Sequence, residues 1–298
     1  MTLTILFRGT LASCNYDCPY CPFAKKKDSK ATLALDFAQL SKFVQFVRQQ
    51  KDIRFKLFFT PWGEALIRDY YRKALVELSN FDNVEKVAIQ TNLSCSLGWL
   101  KDVNKSKMAL WTTYHPGQVS RDAFLAKCRL LDEMDIAYSV GIVGFKETIP
   151  EIESIRSLLP KETYLWVNAL KKEENYYSIE EKKRLIAIDP YITYNMIHHD
   201  SKDKACRTGH TVISVDGEGN IQRCHFIKDK LGNLYDENFK ELLFPRGCTN
   251  ATCGCHIGYI HMDHLQLYDL YKGRELERIP LTPLPSPASV EYKPLPMQ

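Results

Sequence analysis

The stretch Leu3-Thr-Ile-Leu-Phe7 is followed, after a short loop, by Cys14-Asn-Tyr-Asp-Cys18-Pro-Tyr-Cys21. The first segment is short, apolar and rich in large side chains, and it predicts a buried strand. The second segment places three cysteines in the loop that leaves this strand, with the spacing C-x3-C-x2-C. Three thiolates so placed are able to bind three irons of a [4Fe–4S] cluster and to leave the fourth iron without a protein ligand. A zinc site with a distant fourth ligand is the alternative for the same residues.

The chain beyond this loop repeats one pattern, a strand followed by a helix. Five more segments rich in β-branched and aromatic residues predict strands at Ile53–Phe59, Val84–Ile89, Ala109–Tyr114, Ala137–Val143 and Tyr164–Val167. Apolar residues at helical spacing predict helices at Asp36–Gln49, Arg68–Leu78, Arg121–Met134, Ile149–Leu159 and Ile179–Ile188. This alternation predicts an α/β fold with a parallel sheet, and six repeats favour a partial (β/α)6 TIM-like barrel over a full eight-fold one. In such a barrel the carboxyl ends of the strands carry the chemistry.

Composition and charge exclude several other classes of protein. The chain has 298 residues, of which 45% are hydrophobic, and this is a globular composition. It has no run of about 18 apolar residues and no signal-peptide pattern at its start, so we expect a cytoplasmic protein without a membrane span. The net charge of +4 is too small to indicate nucleic acid or a membrane as a partner. Clustered cysteines in a cytoplasmic chain favour metal binding over disulfides.

The cysteine loop resembles that of the radical SAM superfamily, including the aromatic Tyr20 before its last cysteine. The resemblance implies that a [4Fe–4S] cluster on Cys14, Cys18 and Cys21 binds S-adenosylmethionine (SAM) through its open iron. A reduced cluster would cleave SAM to a 5′-deoxyadenosyl radical, which abstracts a hydrogen atom from a C–H bond that no side chain could deprotonate. The implied electron donor is a protein of the flavodoxin or ferredoxin type.

Polar segments at the ends of the other strands also resemble elements of this family, over about residues 3–170. Thr60-Pro-Trp-Gly-Glu64 resembles its Gly-Gly-Glu element, with Trp62 in place of the first glycine. A buried ammonium such as that of SAM requires an anionic or carbonyl acceptor, for which Glu64 is the candidate. The resemblance implies that the following residues contact SAM: Tyr20, Gly63, Glu64, Thr91, Asn92, Thr113, His115, Ile142, Gly144 and Asn168.

A second group of cysteines follows residue 200. Cys206-x12-Gly219-x4-Cys224 encloses a predicted β-hairpin whose turn is Asp-Gly-Glu-Gly-Asn, and a predicted short helix, Glu237–Leu243, follows. This pattern resembles the SPASM and twitch extensions of radical SAM proteins, and it implies an auxiliary [4Fe–4S] cluster. The favoured ligands of this cluster are Cys206, Cys224, Cys253 and Cys255, and Cys248 is the spare thiol. A zinc ribbon that also uses His225 and His256 is the alternative.

The expected organisation is a barrel at residues 1–200, a small cysteine-rich hairpin and helix extension at 201–262, and a helix with a proline-rich tail at 263–298. An auxiliary cluster would accept an electron from the substrate radical, which predicts oxidative modification of a peptide, a protein or a small molecule. Redox-neutral epimerisation is the alternative, with Cys248 as the hydrogen donor and catalytic residue. An iron–sulfur sensor and a zinc-stapled interaction protein are the non-enzymatic alternatives. Cleavage of SAM to 5′-deoxyadenosine is expected of both enzymes and not of the sensor or the interaction protein.

Overall fold

Strands and helices alternate through the first two thirds of the chain as the sequence predicts. A computed structural model describes residues 1–23, 27–171, 173 and 175–281. The strands are β1 (Thr2–Arg8), β2 (Arg54–Phe59), β3 (Val84–Thr91), β4 (Met108–Thr113), β5 (Ala137–Gly144) and β6 (Leu165–Ala169). The helices are α1 (Lys30–Gln49), α2 (Asp69–Ser79), α3 (Arg121–Glu133), α4 (Ile149–Leu158) and α5 (Ile179–Ile188). Helix α1 begins at Lys30 rather than at Asp36, because the Ser29 side chain accepts a hydrogen bond from the Thr32 amide and caps the helix there.

The C-terminal third consists of short elements. These are α6 (Ile192–Asn195), β7 (His199–Asp200), β8 (Ala205–Cys206), β9 (Val212–Asp216), β10 (Asn220–Gln222), β11 (Lys230–Asn233), β12 (Arg246–Gly247), β13 (Thr252–Cys253), α7 (His256–Tyr259) and α8 (Leu267–Tyr271). The predicted helix at Glu237–Leu243 is a single 3-10 turn, Phe239–Leu242. The proline-rich tail lies outside the described residues from position 282 onwards. No helix in the described ranges is long and apolar enough to cross a membrane.

The predicted hairpin extends the barrel sheet. In the described residues the main sheet has nine strands, in the order β11, β10, β9, β1, β2, β3, β4, β5, β6. Strand β9 pairs with β1 in parallel, from Thr4 opposite Val212 to Arg8 opposite Asp216. The sequence did not indicate this pairing. It anchors the cysteine-rich segment to the strand that leads into the first cysteine loop.

Two apolar clusters fix the two faces of the sheet. Side chains such as Ile5 and Leu57 pack against the helices, whereas Leu6 and Phe58 point to the inside of the barrel. The inner cluster also contains Leu276, from the end of the described chain. Nearby, Glu277 forms an ion pair with Lys86, which lies near the amino end of β3. The C-terminal segment therefore fills the amino end of the barrel, opposite the end that bears the cysteine loop.

Candidate active site at the carboxyl ends of the strands

Carboxylates from α1 and the segment before it fix the backbone of the cysteine loop. Asp36 is fully buried and accepts a hydrogen bond from the Leu11 amide at 2.8 Å. Asp28 accepts from the amides of Ala12 and Ser13 at 3.0 and 2.8 Å. Hydrogen bonds to a charged acceptor are stronger than neutral ones, so the loop leaves β1 in one defined conformation. The sequence did not indicate that these two aspartates hold the cysteine loop.

The predicted Gly63-Glu64 element lies directly against this loop. A Cβ atom on Gly63 would lie 2.0 Å from the Ser13 carbonyl oxygen, so only glycine fits at this position. The next amide, that of Glu64, donates to the same carbonyl at 3.1 Å. The glycine is therefore required for the close approach of two backbone segments. Trp62, in the place of the family's first glycine, is partly exposed and lies under the guanidinium of Arg8 at 4.1 Å.

The Glu64 carboxylate binds the loop that follows β3. Its Oε1 accepts from the Leu66 amide at 3.0 Å and from the Thr91 hydroxyl at 2.9 Å. Its Oε2 accepts from the Asn92 amide at 2.5 Å. Burial raises the pKa of Glu64 to about 7, while these hydrogen bonds act in the opposite direction. Glu64, Thr91 and Asn92 therefore form one buried unit beside the cysteine loop.

Two N–H donors point at the sulfur of the first cysteine. The Tyr16 amide lies 3.4 Å from the Cys14 sulfur and the Asn92 side-chain amide lies 3.7 Å from it. The Asn92 side chain also donates to Asn15 at 3.1 Å. Burial raises the pKa of the Cys14 thiol, whereas the Tyr16 amide lowers it. N–H donors of this kind stabilise a thiolate, which is the form that binds iron, so the arrangement fits a cluster ligand.

His115 connects the other end of the loop to β4. Its Nδ1 lies 2.9 Å from the Tyr20 hydroxyl and 3.5 Å from the Cys18 sulfur. The two rings are nearly parallel, with centroids 6.1 Å apart. Burial lowers the pKa of His115 to about 4, so its imidazole is neutral at neutral pH. Cys21 is held in the same loop, since its amide donates to the Cys18 carbonyl at 3.1 Å.

The other predicted SAM contacts divide between the two faces of the sheet. Thr113 ends β4, and Asn168 is exposed on β6, two residues after the inward-facing Trp166. Ile142 instead packs in the outer cluster, on the helix side of the sheet. A Cβ atom on Gly144 would lie 2.8 Å from the Tyr177 hydroxyl, which also faces the outer cluster. The structure therefore does not bring the side-chain positions of Ile142 and Gly144 to the cysteine loop.

The second cysteine group is assembled by short antiparallel ladders. Cys206 in β8 pairs with β12, and Cys253 in β13 pairs with β7, while the Cys248 amide donates to the Lys204 carbonyl at 3.1 Å. Burial raises the pKa of Cys224 to about 11, and the thiols of Cys206 and Cys248 add to this effect. Burial likewise raises the pKa of Cys253 to about 12, with Cys224 as the strongest charged neighbour. Cys255 also acts on Cys253, so all five thiols of this segment are electrostatic neighbours in one group.

Cys255 adjoins Cys253 and also interacts with cationic side chains. It begins α7, and the charged side chains that act on it most strongly are Lys171, Arg278 and Arg8. The residue is accessible to solvent, yet burial by the surrounding protein still raises the pKa of its thiol. Within the described residues, no three His, Cys, Asp or Glu side chains converge closely enough to hold a single metal ion.

This chain matches known proteins in the comparison of structures. No family model and no curated protein matches it. Native anSMEcpe with bound AdoMet matches with a TM-score of 0.55 over 80% of this chain and 80% of that chain, at 15% identity. Native anSMEcpe with bound AdoMet and Cp18Cys peptide matches with a TM-score of 0.54 over 81% and 80%, at 15% identity. The fold is the same. The expected partial α/β barrel is thereby confirmed, and the matching anSMEcpe structure contains bound AdoMet, which is SAM.

Proposed function

We propose that this chain is a radical SAM enzyme. The observation that carries the proposal is the fixed cysteine loop at the carboxyl end of β1, with two N–H donors directed at the Cys14 sulfur. A [4Fe–4S] cluster bound by Cys14, Cys18 and Cys21 would supply the electron that cleaves SAM to the 5′-deoxyadenosyl radical. The anSMEcpe structures support this, because a protein of the same fold binds AdoMet.

The protein's own residues would position SAM beside this cluster. Gly63 allows the backbone after β2 to approach the loop, and its neighbour Glu64 holds the Asn92 backbone in place. The ammonium group of SAM would find its anionic acceptor at Glu64. Tyr20, held by His115, would offer an aromatic face to the adenine, and Thr113 and Asn168 are polar groups at neighbouring strand ends.

We further propose an auxiliary [4Fe–4S] cluster in the C-terminal cysteine group. It would accept an electron from the substrate radical, so the net reaction would be oxidative. The mutual electrostatic contacts of the thiols support Cys206, Cys224 and Cys253 as three of its ligands. Cys255, which acts on Cys253 and which the spacing favours, would be the fourth, and Cys248, which acts on Cys224, would be the spare thiol. The substrate would be a peptide or a small molecule, and anSMEcpe, which binds Cp18Cys peptide together with AdoMet, supports the peptide.

Iron content and SAM cleavage test the proposal together. After anaerobic reconstitution we expect about eight irons per chain and formation of 5′-deoxyadenosine from SAM once the protein is reduced. The triple variant Cys14/Cys18/Cys21→Ala should keep about half of the iron and lose SAM cleavage. Cys128→Ala, at a buried cysteine of α3, is the matched control and should retain both. Stoichiometric zinc with about four irons would remove the auxiliary cluster, and absence of 5′-deoxyadenosine would contradict the enzyme class.

Epimerisation is a second candidate, with the spare thiol of Cys248, an electrostatic neighbour of Cys224, as the hydrogen donor. In this reaction a thiol S–H bond breaks, its hydrogen atom forms a C–H bond on the substrate radical, and an electron and a proton then restore the thiol. Turnover in deuterated water distinguishes the two outcomes. One solvent deuterium in a product of unchanged formula would establish epimerisation, whereas a product lighter by two hydrogens would establish oxidation.

A further inference from the structure

The loop that follows β3 contains a buried leucine in the left-handed backbone conformation. Leu93 has a φ of 58° and is 1% exposed. A bulky side chain rarely adopts this conformation, because its Cβ then lies too close to the following carbonyl oxygen. Strain of this kind persists only where the surrounding structure imposes it, and it is typical of functional sites. Leu93 directly follows Asn92, whose side-chain amide points at the Cys14 sulfur.

The carbonyl groups of this loop converge on one ammonium from α3. The Nζ of Lys127 donates to the carbonyls of Leu93, Ser94 and Cys95 at 2.8, 2.7 and 2.7 Å. An ammonium has three N–H donors, so three successive residues of the loop use all of them. The Lys127 side chain is partly buried, and hydrogen bonds from a charged donor are stronger than neutral ones. These three bonds therefore offset the strain at Leu93.

The same turn sets the direction of the Asn92 side-chain amide. Its Oδ1 accepts a hydrogen bond from the Ser94 amide at 3.0 Å, so its Nδ2 is the atom that faces the Cys14 sulfur. A displacement of the Ser94 backbone would break this bond and release the Asn92 side chain. The Cys14 sulfur would then lose one of its two N–H donors.

We propose that Lys127 is a positioning residue of the SAM site, which holds the left-handed turn at Leu93 and thereby directs the Asn92 amide at the Cys14 sulfur. The inference rests on the proposed function, since Cys14 would bind the cluster that cleaves SAM. N–H donors near a cluster sulfur stabilise the reduced cluster and raise its reduction potential. The Lys127 ammonium is occupied by the three carbonyls, so it acts on the cluster through the loop.

Two substitutions at Leu93 separate this route from a purely electrostatic one, since Lys127 is also the cation that acts on Glu64. Leu93→Gly removes the side chain together with the penalty of the left-handed conformation. Leu93→Ala removes nearly the same side chain but keeps the Cβ that causes the penalty. Both leave a cavity, so the pair is closely matched for lost packing.

The effect of Lys127→Met is measured in the wild type, in Leu93→Ala and in Leu93→Gly. In the first two backgrounds it should weaken SAM binding about tenfold, speed hydrogen exchange of residues 91–95 about tenfold and lower the reduction potential of the cluster. In the Leu93→Gly background the first two effects should be about twofold or less, and the potential should stay nearly constant. Arg129→Met removes an exposed cation of the same helix and should change none of the three.

Equal effects of Lys127→Met in the Leu93→Ala and Leu93→Gly backgrounds would overturn the proposal and assign the effect to the charge near Glu64. Absence of any effect in the wild-type background would also overturn it. If the Leu93 variants do not fold, Asn92→Ala replaces them. It should lower the reduction potential as much as Lys127→Met does, and the double variant should show no further fall. A further fall would show that Lys127 does not act through Asn92.

Hydrogen exchange of residues 91–95 is followed by mass spectrometry in the reconstituted protein and again in the cluster-free chain. The second measurement needs neither iron nor SAM. Failure of the proposed function would appear as absence of 5′-deoxyadenosine with the wild type, whereas failure of the present inference would appear as unchanged exchange in Lys127→Met. The two failures are therefore distinguishable.

Discussion

The two cysteine groups of this protein are built in different ways. Cys14, Cys18 and Cys21 lie in one loop, and its backbone is held by side chains of α1, by the segment before it and by the Gly63 region. The C-terminal group comes from four separated segments joined by two-residue ladders. The ligands of a contiguous loop can be recognised from their spacing in the sequence. The ligands of a group assembled from separate segments can be recognised only when the direction of each side chain is known.

This difference implies that the two groups depend on one another very little. The loop takes its supports from β1, α1 and the segments after β2, β3 and β4, none of which contains a cysteine of the C-terminal group. Two direct links are the pairing of β9 with β1 and a contact of 2.8 Å between the Thr60 hydroxyl, which follows β2, and Nε2 of His225, which follows Cys224. Removal of either group should therefore leave the other intact, and the variants below test this from the largest expected effect to the smallest.

The largest effect is expected from Cys224→Ala. Cys224 lies among the other thiols of the C-terminal group, so its removal should cost about four irons and all product formation. SAM cleavage should survive, because the ligands at Cys14, Cys18 and Cys21 are untouched. Iron analysis and 5′-deoxyadenosine measured by chromatography check both parts, with Cys128→Ala as the control. Loss of SAM cleavage in this variant would show that the two groups are coupled.

The next effect concerns pH and the support of the cysteine loop. Burial raises the pKa of Glu64 from 4.5 to about 7 in the folded protein. The folded state then binds this proton more tightly than the unfolded state, so the contribution of Glu64 to stability is greatest below pH 4.5 and is lost as the pH rises to about 7. The shift corresponds to about 3 kcal/mol. Urea unfolding of the cluster-free, reduced protein between pH 4.5 and 8 measures it.

Glu64→Gln should flatten this pH dependence and weaken SAM binding, since the ammonium loses an anionic partner. Glu133→Gln, at an exposed glutamate at the end of α3, is the matched control and should leave the slope unchanged. An equal slope in wild type and Glu64→Gln would place the titrating group elsewhere.

Gly63→Ala tests the close backbone approach to the loop. The added methyl would lie 2.0 Å from the Ser13 carbonyl oxygen, and backbone must move to admit it. A displacement of about 1 Å at a reacting centre costs on the order of 100-fold in rate, so SAM cleavage should fall by about that factor. Gly98→Ala is the control, because a Cβ there meets nothing within 4 Å. Normal SAM cleavage by Gly63→Ala would show that this contact does not position the loop.

The sequence predicted the parts of this architecture that local pattern encodes. The six strands, the helices between them and the loop cysteines follow from apolar periodicity and spacing. The pairing of β9 with β1 does not, because the partners lie some 200 residues apart and both are ordinary apolar strands. The choice of Cys255 over Cys248 as a ligand, which the spacing favours, stays a prediction, since spacing does not encode which way a side chain points. The role of Asp36 could have been predicted, because its carboxylate lies on the face of α1 that the apolar residues Leu40 and Phe43 share.

The smallest effect is expected from Tyr20→Phe, which keeps the aromatic face and removes one hydrogen bond. The Tyr20 hydroxyl lies 2.9 Å from Nδ1 of His115, and this bond joins the last turn of the loop to β4. A hydrogen bond of this kind is worth about 1 kcal/mol net, which corresponds to about a fivefold loss of SAM affinity if the bond orients the ring. Equilibrium binding of SAM to the reconstituted protein measures it.

Tyr138→Phe is the matched control for this loss. The Tyr138 hydroxyl donates to Asp132 at the same distance, 2.9 Å, but it lies near the amino end of β5, away from the loop. This variant should lose similar stability and no SAM affinity. Equal affinities in both variants would mean that His115 does not orient Tyr20 toward SAM. In that case the loop would depend on its carboxylate and amide supports at the Cys14 end alone, and the contrast between the two cysteine groups would rest on Asp28, Asp36 and Asn92.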